Sequence, residues 1–582
     1  MILEKIRIRN FCSCNALDID LNTFNPIIGY NNSGKSNILR AINWLLKKSV
    51  LQASSFYDQN QAVIVEGVIS DVNVNILPVH QQQQVAAYIA NGKLEFRRRQ
   101  DIPTATAAQI RIEVLDPNTG NWRNNPVGLD NAIGLLFPDA IYIEAMDDAA
   151  DDVARFSAKN TIGMLLKCFL EGVQQQNVQA FQAIQNALQT VNDSLNGPQK
   201  IQQLTDLETA GNQELSAFFP GLSLQISINT PLFEDLVKGA SLNLSDNQQH
   251  VRAFSSFGHG TQRSVQMALI KLLADQINHA QANLATKILL IDEPELYLHP
   301  QAIEILRDAL KQLSAQNFQV IFSTHSPLLI GKDDVLDTSM IFKNQGVTTV
   351  RPKLSQAAHV LAQNPHQMGV IFSLQHSTYL LFSERILVVE GKTEKMIFPD
   401  LFEVASGRSL GLAKACLIDV GSSSSIYPTM QVLHNVGFQP KAIVDLDFIF
   451  KVAPQIGLIQ TTDPNFVACH QWFIQNHAAN QFLVGADGFP TRRNGTQYST
   501  VLPERAFELL AAAMPNQISQ LSGLLRQQNI WVWDKGAIEL HLGIPRKDDA
   551  ARMAFLALMK ARGNLNHAAF PQDIRDCVNW IL

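Results

Sequence analysis

The chain is poor in charge and in thiols. Only 17% of its 582 residues are Asp, Glu, Lys or Arg, and six are cysteine. Cys12, Cys14, Cys168, Cys416, Cys469 and Cys577 are scattered, and the Cys12/Cys14 pair lacks the second pair that a tetrahedral zinc site needs. Reduced, mostly buried thiols are expected instead of a disulfide framework. No apolar run approaches the roughly 20 residues required to cross a bilayer. The opening MILEKIRIRNF alternates charged and apolar side chains as a half-buried strand does, without the regions of a secretory signal. A cytoplasmic location is therefore expected. A basic excess is missing too: the net charge of −6 excludes a uniformly basic nucleic-acid coat and leaves room only for a local basic groove.

Against these absences stands a complete phosphate-binding loop. GYNNSGKS, residues 29–36, follows an apolar run that opens near Phe24 and precedes good helix formers. Gly29 and Gly34 let the backbone fold so that successive N–H groups face phosphates, Lys35 can reach the β/γ oxygens, and Ser36 can complete a magnesium shell. The following helix, with Ile38, Leu39, Ile42 and Leu45 on its apolar face, points its positive end at the same anion. Asn32, Ser33 and Asn37 complete the expected nucleotide-binding set, and ATP with Mg²⁺ is the expected ligand.

Further along, ATKILLIDEPELYLHP presents an apolar strand, residues 288–291, ending in Asp292 and Glu293. A carboxylate at a buried strand tip can hold magnesium and its neighbour can orient the attacking water, so Asp292 is assigned to metal and Glu293 to the base. Alone, such a pattern is often merely a turn. Its context argues otherwise. VIFSTHSPLLI follows as another apolar strand and delivers His325 toward a γ-phosphate, and SSFGHGTQRSVQMAL places Ser256, Gly258, Gly260 and Gln262 just before an apolar helix.

The order phosphate loop, Gly-rich signature, acidic strand tip and histidine resembles the ATP-binding-cassette head of recombination and chromosome-maintenance ATPases over residues 1–350. The resemblance implies that residues 295–300 form the D-loop, that two heads sandwich ATP with the signature of one facing the phosphate loop of the other, and hence a homodimer or higher homo-oligomer. The family's long coiled coil is absent. A helical stretch at 155–218, with Ile162, Leu165, Leu166 and Phe169 at helical spacing, is read as a dimerisation insertion, with an ordinary core helix as the alternative. Residues 141–148 are a candidate for the adjoining lobe.

After a linker at 351–382, the chain restarts with SERILVVEGKTEKMIF. Residues 386–389 read as a buried strand with Glu390 at its tip, Gly391 permitting the turn and Glu394 in the first turn of a helix. KAIVDLDFIF ends another strand with Asp445 and Asp447, whose spacing of two puts both on one side if the strand continues. ACLIDVGSSSS adds a strand ending in Asp419. Right-handed crossovers would gather these tips on one edge of a parallel sheet, where clustered carboxylates call for Mg²⁺ or Mn²⁺, about 3.5–4 Å apart if paired.

Glu-Gly-x-x-Glu followed by Asp-x-Asp resembles the Toprim domain, here 383–582. The resemblance implies Glu390 as metal ligand or acid/base and Glu394, Asp445 and Asp447 as metal ligands. An α/β cassette head joined to a Toprim domain with a parallel sheet resembles the OLD (overcoming lysogenization defect) nuclease family, to which the Gabija nuclease subunit broadly belongs. This implies an ATP-regulated, metal-dependent DNA endonuclease or nickase, a role in phage defence, and a neighbouring helicase as the hint of a two-component complex. It also implies a further glutamate, matched by Glu539 in the Gly-x-x-Glu setting of Gly536, and a C-terminal lysine, for which Lys535, Lys547 and Lys560 compete. For DNA contact, the runs Arg97, Arg98, Arg99 and Arg492, Arg493 are candidates beside the alternative of solvated faces. The competing function is a DNA-binding or signalling ATPase clamp with a structural acidic cluster. Topoisomerase and primase readings lack support: Tyr427 and Tyr498 sit in no nucleophile context, and no zinc module is present.

Overall fold

Burial of alternate residues along Ile2–Phe11, with Leu3, Ile6 and Ile8 inside, fits this strand's place in a seven-stranded antiparallel sheet, between the edge strand Cys14–Asp20 and Val63–Ser70. The computed structural model describes residues 1–125, 128–137, 140–145, 177–197, 200–219, 221–228, 243–245, 250–277, 287–315, 318–353, 355, 380, 382–544 and 548–582. It separates into two compact units, Met1–Gly331 with Ile341–Val350 and Lys332–Met340 with Arg351–Leu582. Most of the expected linker at 351–382 lies outside the described residues, as do Cys168, Lys547, residues 146–148 of the adjoining-lobe candidate and the part of the helical stretch holding Ile162, Leu165, Leu166 and Phe169.

In the first unit, a second sheet holds the parallel strands Phe24–Ile28, Phe318–Thr324, Lys287–Asp292 and Ile141–Ile143, side by side in that order. Phe318–Thr324 is buried along its whole length and Lys287–Asp292 at all but its first residue. That is why their sequences are continuous apolar runs with no alternation. The helices Lys35–Leu46 and Pro300–Ser314 cover this sheet, burying Ile38, Leu39, Ile42 and Leu45 from one and Leu306, Leu310 and Leu313 from the other. Within the insertion, the helices Val178–Asn196 and Gln202–Phe218 are present, and the first buries none of its side chains. Val178, Ile184 and Val191 are exposed along it.

The Arg97, Arg98, Arg99 run is structural. It lies on Lys93–Gln100, where Arg97 bonds Glu113 at 2.5 Å and stacks over Trp122 at 4.1 Å. Arg98 is fully buried against Asp130 at 2.8 Å, and Arg99 meets Asp101 at 2.6 Å. Arg98 is thus neutralised inside the sheet, while Arg97 and Arg99 are ion-paired at its partly exposed edge, as the solvated-face alternative has it. The glutamine run at 81–84 belongs to a helix, Val79–Ala86, which buries Gln81.

The second unit is built on a parallel sheet whose spatial order is Ala415–Asp419, Arg385–Val389, Lys441–Asp445, Ile530–Trp533. The first strand in the chain sits second, its successor lies on one side, and the later strands lie on the other. The order therefore reverses between Arg385–Val389 and Lys441–Asp445, which is where open α/β sheets leave a crevice at their carboxyl ends. The core beneath it packs Leu387, Val389, Phe398, Phe402, Trp531 and Trp533. Among the described residues, no helix is long and apolar enough to cross a membrane.

Candidate nucleotide and metal sites

Parallel register brings the phosphate loop, the acidic tip and the histidine together: Ile28 stands opposite Thr324, and Asp292 opposite Ser323. Gly34 has φ 106°, in the left-handed region, and a Cβ there would collide with Thr348, while one at Gly29 would strike the Ile341 carbonyl. Gly34 is also the N-cap of Lys35–Leu46 and offers no side-chain cap, which leaves the helix N-terminus to an anion. Lys35 is 4% exposed and donates to the Gly29 and Tyr30 carbonyls at 3.0 and 3.2 Å. Burial pulls its pKa down to about 8 against the raising pull of Glu293, Asp292 and Glu295.

His325 Nε2 lies 2.8 Å from Lys35 Nζ and 3.1 Å from Glu293 Oε1. One ring nitrogen cannot accept from the first and donate to the second at once. Lys35 keeps a third N–H after its two carbonyls, so the tautomer decides which of the two contacts is made, and a hydrogen bond from His325 holds the Glu293 carboxyl below its usual range. Glu293 has φ 48°, an uncommon and costly backbone for a non-glycine residue. Its N–H bonds Ser323, and Arg263 grips the Asp292 and Glu293 carbonyls at 3.1 and 3.0 Å. Asp292 accepts from Ser323 Oγ.

Two members of this network were not legible as a motif. Arg263 sits in the helix His259–Ile277, which starts inside the signature and takes in Gly260 and Gln262 instead of following them, so the signature helix holds the acidic tip directly. Glu295, in the segment expected as a D-loop, accepts from the His325 and Ser326 N–H groups at 2.6 and 3.1 Å and so fixes the histidine turn. The signature itself is local: Ser256 Oγ donates to the Ala253 carbonyl at 2.7 Å and Gln262 to the Phe257 carbonyl at 2.8 Å. Ser256 and Gly258 are exposed, Gly260 is half-buried, and Gln262 is buried. Asn32 accepts from Lys343 at 3.1 Å, Asn37 donates to Ser13 at 2.9 Å, Ser33 is buried, and Ser36 follows Lys35 in the first helical turn.

In the second unit, Glu390, Asp445 and Asp447 line one cleft of about 830 Å³ at the strand-order reversal, together with Lys451, Asp487, Arg492 and Glu504. Asp447 arrives there by a different route from the one expected. The strand stops at Asp445, and Asp447 is the N-cap of the short helix Phe448–Lys451, with φ −66°. A turn, not strand alternation, carries it to the same side. Gly391 also differs from expectation: its φ of −160° is extended backbone open to any residue.

Asp445 Oδ1 accepts from the Ile538 N–H at 3.2 Å, which anchors one of its oxygens. Asp447 meets Lys451 at 3.1 Å, and Glu504 meets Arg492 at 2.6 Å. Glu394 and Glu539 are each 5% exposed and do not contribute to the cleft wall. Glu539 instead accepts from Thr393 at 2.8 Å and from Arg552 at 3.2 Å. Asp419 is at its strand tip, 3.7 Å from Lys395. Of the lysines, Lys560 pairs with Asp400 at 3.0 Å. Lys535 meets Asp573 at 2.6 Å and Asp534 at 3.3 Å; burial lowers its pKa, but these partners raise it further. Its ammonium supplies the positive charge within the Asp534, His541, Asp573 cluster.

The donors in the cleft are carboxylate oxygens, without thiol or imidazole among its wall residues, a set that fits hard cations such as Mg²⁺ or Mn²⁺. Lys451, Asp487 and Glu504 had no motif to announce them. They come from a segment between the acidic strand and Ile530–Trp533 whose course only the fold reveals.

A family model described as "Overcoming lysogenization defect protein-like, TOPRIM domain" matches residues 381–447, and "AAA ATPase domain" matches residues 1–80. "AAA domain, putative AbiEii toxin, Type IV TA system" matches residues 108–331. The Old nuclease of Escherichia phage P2 is 34% identical over 560 residues, covering 94% of this chain and 93% of the relative. The OLD nuclease of Thermus scotoductus is 22% identical over 420 residues, covering 69% and 74%, and Endonuclease GajA of Bacillus cereus is 22% identical over 436 residues, covering 69% and 68%. With an ATPase head, a Toprim sheet and near full-length identity of this degree, the chain belongs to the OLD nuclease family and is an ATPase and nuclease.

Proposed function

We propose that this chain is an ATP-regulated, divalent-metal-dependent DNA endonuclease or nickase that works as a homodimer or higher homo-oligomer in the cytoplasm, in defence against phage. The observation that carries the reading is the convergence of Glu390, Asp445 and Asp447 on one cleft at the sheet's reversal point. These three would hold Mg²⁺ or Mn²⁺, with Glu394 and Glu539 acting from behind the cleft on the helices that frame it. The bound cations would supply an activated water and charge stabilisation for the leaving oxygen of a phosphodiester. Glu390, at a strand tip, would serve either as a ligand of such a cation or as the acid/base that takes the water's proton. Lys451 and Arg492 face the same cleft and draw the strand's phosphates in.

In the ATPase unit, Lys35 and the loop 29–36 would grip the phosphates, Ser36 and Asp292 would hold the nucleotide's Mg²⁺, and Glu293 would position the attacking water with His325 beside the γ-phosphate. Ser256, Gly258, Gly260 and Gln262 serve the loop of a second copy. The exposure of Ser256 and Gly258 and the exposed apolar pair Ile184 and Val191, seven residues apart on one helix face, support a dimer. A helicase partner would extend the same system.

One observation favours the competing clamp reading: Lys451 and Arg492 already neutralise Asp447 and Glu504, so this acidic wall is partly compensated without a cation. Plasmid nicking with titrated ATP and Mn²⁺ separates the two. Nicking by the wild type, loss in Glu390→Ala and altered ATP response in Lys35→Ala are expected. ATP-dependent dimerisation on DNA without scission in either metal would establish the clamp instead.

A further inference from the structure

A second cavity of about 580 Å³ adjoins the acidic cleft, and the two share Lys451, Asp487 and Phe489 as a common wall. Its apolar lining is aromatic: Phe489 lies 4.7 Å from His470 and 6.0 Å from Phe466 between ring centroids, with Val467 on the rim at 36% exposure. Polar groups Gln455 and Thr461 lie on the same wall. The rings are held in place. His470 Nε2 donates to the Asp487 carbonyl at 2.9 Å, and Gly488, at φ 77°, has the imidazole where a Cβ would stand. Gly485 N–H bonds the Phe489 carbonyl at 2.8 Å, which closes the turn under the half-buried Phe489 ring.

We propose that this cavity takes one unstacked nucleobase of the DNA strand whose phosphate lies in the acidic cleft. The inference rests on the nuclease reading of that cleft and adds the form of the substrate, a strand with a base turned out of its stack. The occupant follows from continuity. A chain of phosphates crossing past Lys451 carries its bases at the level of the adjoining wall, where an aromatic face stacks on any base and Gln455 and Thr461 can meet its polar edge. A purely apolar guest would not need the cationic and amide groups at the boundary. The arrangement places base recognition beside the reacting phosphate, so that a damaged, mismatched or single-stranded site, which yields a base at little cost, is preferred over intact duplex.

The test titrates the full chain, with Mg²⁺, into short single-stranded DNA oligonucleotides carrying 2-aminopurine at successive positions. A rise in fluorescence at one position, as that base leaves its stacked neighbours, is expected in the wild type. In Phe489→Leu the rise is lost and strand affinity falls about tenfold. Val467→Gln, at an exposed rim position that leaves the aromatic packing intact, also removes the rise. Free 2-aminopurine deoxyriboside should fail to compete at the oligonucleotide's concentration. A strand that binds without the rise, no strand binding at all, a rise retained in both variants, or competition by the free nucleoside would each overturn the proposal. Failure of the nuclease reading is seen separately, as absence of metal-dependent plasmid nicking by the wild type.

Discussion

Raising the pH should weaken ATP binding through Lys35. Its amine is buried in its own loop, and burial brings the pKa from 10.5 to about 8. A shift of that size disfavours the charged form by about 3 kcal/mol. The sign follows from proton counts. The folded pKa lies below the unfolded one, so between pH 8 and 10.5 the unfolded chain binds more protons, and the nucleotide-free fold gains stability from this group as pH rises through that window. Below pH 8 the penalty is fully present. Nucleotide phosphates favour the ammonium and raise its pKa, so ATP binding above pH 8 must take up a proton. Affinity should then fall about tenfold per pH unit, or about thirtyfold between pH ~7 and ~9.5. Titration calorimetry in buffers of different ionisation enthalpy reads both quantities, with uptake near zero at the lower pH and near one proton at the higher. Lys35→Arg, charged throughout, should abolish the dependence. Equal affinity at both pH values with no buffer effect would refute the reasoning.

Three other outcomes are expected. Arg552→Met leaves the Glu539 carboxylate buried without its cationic partner and should destabilise the second unit by about 3–5 kcal/mol in chemical denaturation. Gly34→Val forces a branched side chain onto a φ of 106° against Thr348, so ATP binding should disappear in a filter or calorimetric assay while the far-ultraviolet circular dichroism is retained. Phe322→Ala, in a strand buried on both faces, should cost about 3–5 kcal/mol of stability in the first unit, read as a lowered denaturation midpoint.

Motifs confined to one strand tip and its turn were legible in the sequence because local chemistry defines them. The loop 29–36 needs glycine where φ is positive, and the tips at Asp292, Glu390 and Asp445 end apolar runs that a buried parallel strand requires. What depended on long-range register was not. Glu295 reaches the His325 turn across some thirty positions, and Arg263 reaches the Asp292 carbonyl across twenty-nine. Asp447 shows the limit of periodicity: the two-residue spacing put it on the right side for a wrong reason, since the strand had already ended. The Arg97 to Arg99 run shows the limit of charge counting, because three cations in a row say nothing of the acids that adjacent strands and the nearby Asp130 set beside them. The cleft's Lys451, Asp487 and Glu504 belong to a connection whose sequence has no repeating pattern.

The most direct test of the metal-cleft account is supercoiled plasmid nicking by wild type and Asp445→Asn across a Mn²⁺ titration, with thermal melting followed in parallel. The account predicts Mn²⁺-dependent nicking by the wild type and a loss of at least a hundredfold, roughly the scale expected when a catalytic metal's ligand is removed, in a variant that melts as the wild type does. Undiminished nicking by a folded Asp445→Asn would contradict it.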